Sequence, residues 1–102
     1  MAASPTKADT FAALDDCFTT DLAALIGGEP PRNPTPNQFI DLAERVRDVL
    51  AASSLSNLKD ASEDLDSAVD NLTDALTSPD GDQRSLLAAA RTHLRDAIET
   101  AS

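Results

Sequence analysis

The amino-acid sequence predicts an all-α fold, a small four-helix bundle, on three observations. Leu and Ala dominate the apolar residues, with 13 Leu and 18 Ala against three Phe and no Trp or Tyr. These are strong helix formers, while the β-branched and aromatic residues that favour strands are scarce. Apolar residues recur at intervals of three and four in four separate blocks, and every Pro and Gly falls outside or between those blocks. One domain is expected from 102 residues, with a modest core. The alternative architecture is a three-helix core with a peripheral or dimerising N-terminal helix.

The first helix is expected over about 7–26. Phe11, Leu14, Phe18, Leu22 and Leu25 fall on one side, Thr6 offers a cap, and Asp9 stands where a carboxylate favours unpaired amides. Two threonines in "CFTTD" weaken its middle, and Gly27-Gly28 gives it a left-handed exit. Residues 27–36, "GGEPPRNPTP", form a stiff connector that either folds the first helix back on the rest or holds it away.

The second helix, about 36–53, has the clearest start. Thr35 caps it, Pro36 occupies the first turn where its missing N–H is harmless, and Gln38 completes a capping box. Phe39, Leu42, Val46 and Val49 or Leu50 form its apolar stripe, and Asp41 stands four residues before Arg45 as a surface pair. At "SSLSN" the stripe loses phase by two residues, which predicts a short turn with Ser54, Ser56 or Asn57 as the next cap.

The third helix, about 56–77, is the most regular. Leu55, Leu58, Ser62, Leu65, Val69, Leu72 and Leu76 alternate by three and four, the heptad pattern of packed helices. "TSPDGDQ" ends it. The fourth helix, about 83–100, takes Asp80 or Asp82 as its cap and buries Leu87, Ala90, Leu94 and Ala97 or Ile98. Four such stripes require one another, or a second chain, for cover, so a homo-oligomer is an available arrangement.

Net charge is -10, which opposes contact with nucleic-acid backbones and anionic membranes. The excess is uneven: residues 55–82 carry -7 and residues 83–102 carry +1. With Leu55 at position a, Asp60 and Asp74 occupy f, Glu63 and Asp70 occupy b, Asp64 occupies c and Asp66 occupies e, so all six face away from the leucine seam. Asp60 and Asp70 lie ~15 Å apart along a helix, a span that a basic protein surface could meet.

Catalytic and metal chemistries find little support. Cys17 and His93 are the only residues of their kinds, and the acids around Cys17 disfavour a thiolate, so a buried, inert thiol is expected. His93 lacks the Glu three positions before it that a di-metal bundle uses, and is expected at a surface or interface. Zinc lacks its ligands, "SPDGDQ" is too short for a calcium loop, and no phosphate-binding motif occurs. No catalytic, metal or cofactor residue is therefore assigned.

The expectation is a non-enzymatic acidic protein-interaction module whose interacting residues are Asp60, Glu63, Asp64, Asp66, Asp70 and Asp74. One alternative is an acidic mimic of DNA that inhibits a nucleic-acid-binding protein. Another is a small enzyme with a carboxylate site in a dimer cleft, which a pocket joining Asp15 or Asp16 to His93 would favour. A single cysteine and no apolar run of membrane-spanning length point to a cytoplasmic location, with unconventional secretion left open. The Ala-, Asp- and Arg-rich vocabulary resembles that of GC-rich bacteria, their phages or salt-adapted archaea.

Overall fold

The computed structural model describes residues 11–77 and 83–101, which form four helices: α1 (Phe11–Leu25), α2 (Pro36–Ala51), α3 (Ser56–Thr77) and α4 (Gln83–Ala101). The fold is the small all-α bundle that the periodicity predicts. One cluster of buried side chains draws on all four helices, with Leu14, Leu22, Phe39, Leu65, Leu72, Leu87 and Leu94 at its centre. α1 packs on α2 and α4, and α3 packs on the same two, leaving α1 and α3 on one diagonal and α2 and α4 on the other.

Local chemistry sets the ends. The Thr35 N–H donates to Gln38 Oε1 at 2.9 Å and the Gln38 N–H donates to Thr35 Oγ1 at 3.2 Å, so both halves of the capping box form. α1 ends in a Schellman motif: Gly27 adopts φ +69°, the Gly28 N–H donates to Ala23 O, and the Gly27 N–H donates to Ala24 O. At α3 the residue before the first turn is Leu55 rather than a polar cap. Its carbonyl accepts from the Lys59 N–H, and the nearby serine hydroxyl, Ser53 Oγ, accepts from the Leu55 N–H. The expected Ser54, Ser56 or Asn57 cap is therefore replaced by a tight turn tied from Ser53. The start of the first helix over 7–10, with its Thr6 cap, and the Asp80 or Asp82 cap of the fourth lie outside the described residues.

The connector determines the topology. Pro30, Pro31 and Arg32 stand beside Thr19 and Thr20 of α1, while Asn33, Pro34 and Thr35 stand beside Phe11 and Asp15. The chain thus runs back along α1 before α2 begins, and Phe11 and Phe39, near the starts of the two helices, line one cleft. α1 and α2 are consequently parallel. α2 and α3 are antiparallel neighbours joined by a short turn, and the hydrogen bonds from Asn57 to Thr100 and from Gln83 to Ala75 set α4 antiparallel to α3, so α1 is parallel to both helices it touches.

The seam of α3 is the predicted one with its ends trimmed and its width increased. Leu65, Val69 and Leu72 are buried, Leu58 is half-buried, and Leu55 and Leu76 are 58% and 38% exposed, because both lie where the flanking helices end. Ser62 is buried but satisfied, its hydroxyl donating to Lys59 O at 2.6 Å. Ala61, Ala68 and Ala75, seven apart, are fully buried as well, and so are Ala90 and Ala97 on α4. Small side chains let backbones approach closely, and the α3–α4 interface is the most extensive in the molecule. In α2, Leu50 takes the buried end of the stripe and Val49 is 49% exposed.

Candidate functional site: the outer face of α3

The six acids assigned from the sequence all lie on α3, and the structure divides them into two kinds. At ~100° per residue, Asp60, Glu63, Asp70 and Asp74 fall within an arc of about 80° whose centre is opposite the buried stripe, and they span ~21 Å of helix axis. All four are exposed, and among the described residues no cation stands within ion-pair distance of any of them. They form a ridge of unpaired carboxylates on the solvent side.

Asp66 and Asp64 flank that ridge on the sides that face α2 and α4. On the α2 side, Arg47 donates through Nη1 to Asp66 Oδ1 at 3.1 Å and through Nε to Asp48 Oδ1 at 3.1 Å. Burial opposes the charge on the Arg47 guanidinium, but Asp48 and Asp66 together outweigh it and hold its pKa above the ordinary arginine value. On the α4 side, His93 Nδ1 is buried without a hydrogen-bond partner and lies 3.9 Å from Asp64 Oδ1, a separation beyond hydrogen-bond reach. The six-residue band is thus four outward acids between two lateral ones, of which Asp66 is hydrogen-bonded to Arg47 of α2 and Asp64 stands beside His93 of α4 without a hydrogen bond to it. Arg47 could not be identified as a partner from its own helix, because the contact joins residues 19 apart in the chain.

Elsewhere the connector forms shallow clefts. One of about 310 Å³ is lined by Phe11, Pro34, Pro36 and Phe39 with Asp15 at its edge. A more polar one of about 390 Å³ holds Asp15, Asp16, Thr19 and Arg32. Asp15 accepts a short hydrogen bond from Thr19 Oγ1. His93 belongs to neither cleft, and its nearest carboxylate is on α3, so the arrangement that would favour a carboxylate enzyme does not form at these clefts. Cys17 corrects the expectation of a buried thiol: it is exposed on α1, because the stripe Leu14–Phe18–Leu22 turns position 17 outward.

Among the described residues no three His, Cys, Asp or Glu side chains are placed to hold one metal ion, and no helix is long and apolar enough to cross a membrane. No family model, curated protein or solved structure matches this chain.

Proposed function

We propose that this protein is a non-enzymatic interaction module that docks on a basic protein surface through the α3 ridge of Asp60, Glu63, Asp70 and Asp74. The observation that carries this reading is the lack, among the described residues, of partners for these four acids, on the arc of α3 opposite its buried stripe. Unpaired carboxylates held on a rigid helix keep a fixed spacing, so a partner with cations at the matching spacing gains charge complementarity without ordering the site first. Asp64 and Asp66 belong to the edge of this surface and contribute less, since each is already oriented toward a residue of its own bundle.

Affinity capture from cells of the source organism, read by quantitative mass spectrometry, tests the reading. The expected result is a partner retained by the natural chain, released by moderate salt, and lost when Asp60, Glu63, Asp70 and Asp74 become Asn or Gln. A D64N/D66N variant is expected to retain most of that partner. Equal retention by the natural chain and the four-site variant would remove the ridge from recognition. Competition by duplex DNA for the captured partner would identify the ridge as a mimic of phosphate charge.

A further inference from the structure

We propose that α1 and the connector open from the bundle as one unit while α2, α3 and α4 remain packed, so that α1 serves as a releasable cover over the side of the core between α2 and α4. This inference does not depend on the acidic ridge. It rests on four features of how α1 is held.

The first is the size of its seat. Over its described residues α1 meets α2 and α4 through narrower interfaces than those α3 makes with the same two helices, and one of the five buried residues of Phe11–Leu25 is the polar Thr19. The second is its own weak middle: Asp15, Asp16, Cys17, Thr19, Thr20 and Asp21 place six weak helix formers within seven consecutive positions, so this stretch depends on packing to stay helical. The third is direction, since α1 is parallel to both neighbours and its dipole is aligned with theirs, whereas each contact within α2–α4 is antiparallel.

The fourth is the connector. Residues 29–33 are exposed, and among the described residues no hydrogen bond joins residues 29–34 to α1 or α2. Its release therefore breaks no hydrogen bond within this part of the chain. Two left-handed positions, Gly27 at φ +69° and Asn33 at φ +49°, stand near its ends, where a change of direction needs the fewest rearrangements. What opposes opening is the exposure of Leu14, Phe18 and Leu22, and this keeps the closed form dominant.

Native-state hydrogen exchange on the full chain tests this. Amides in the middle of α1 are expected to open at least ~10-fold more often than those in the middle of α3, and with a weaker dependence on low concentrations of urea. Leu65→Val removes one methylene from the α3 seam, away from α1. It is expected to speed exchange in α3 by roughly 3- to 10-fold and leave α1 unchanged, because opening of α1 does not disturb that seam. Acceleration of both helices by the same factor, or exchange in α1 as slow as the slowest amides of α3, would show that the bundle opens only as a whole and would overturn the proposal.

Discussion

α3 and α1 use the same device, a stripe of apolar residues three and four apart, and reach different degrees of integration. α3 has 22 residues and buries seven of them, including an alanine at every seventh position from Ala61 to Ala75, which lets α4 approach along its whole length. Its ends are tied as well: Asn57 Nδ2 donates to Thr100 O at one end of the pair, and Gln83 Nε2 donates to Ala75 O at the other. The described part of α1, Phe11–Leu25, lies parallel to its neighbours on the far side of a proline-rich strap. Periodicity determines which face a helix buries, whereas side-chain size along the seam and chain direction determine how firmly it is held.

Mutations at matched positions would break or sharpen this contrast. The largest effect is expected at the centre of α3: Leu65→Ala should lower stability by about 2–5 kcal/mol in urea denaturation, since the side chain is fully buried between two helices. A loss under about 1 kcal/mol would show that α3 is not the centre of the core. Ala68→Leu should cost about 1–3 kcal/mol by forcing α3 and α4 apart. The same Ala→Leu change at exposed Ala24 of α1 should stay within about 0.5 kcal/mol, and similar values at both sites would contradict the close approach.

Smaller effects are expected at the polar links. Thr35→Ala should remove about 1 kcal/mol, because the Gln38 amide loses its acceptor at the point where the strap hands over to α2. Asp66→Asn should cost less than about 1 kcal/mol, and the difference from the natural chain should shrink as salt is added, since the Asp66 carboxylate is exposed to solvent. A loss that persists at high salt would mean that Arg47 and Asp66 act through hydrogen bonding more than through charge.

The elements were legible in the sequence where the deciding chemistry is local. Thr35, Pro36 and Gln38 specify the start of α2 among themselves, and the stripes of α2, α3 and α4 predict their buried residues closely. Failures cluster where a residue's surroundings come from another helix. Leu55 continues the heptad spacing but stands one residue before α3 begins, so it is exposed. The acids beside Cys17 argue for an inert thiol but do not decide its burial, and its position on the helix turns it outward. The path of the strap was open between two courses, because proline stiffness does not specify which groove a chain enters. Five of the six acids are exposed on the third helix as the heptad positions predict and Asp64 is half-buried beside His93, but telling Asp66, which Arg47 binds, from the four acids without a partner among the described residues required the position of α2.

The parallel seating of α1 also sets an order of assembly. During synthesis α1 leaves the ribosome before either helix that covers it, and α4 is completed more than 70 residues after α1 ends. At ~5–20 residues per second, Leu14, Phe18 and Leu22 spend roughly 4 to 15 seconds without their final neighbours. The nascent chain must therefore keep the apolar side chains of α1 waiting for α4, and the acids Asp15, Asp16 and Asp21 interspersed with them keep that segment in solution in the interval.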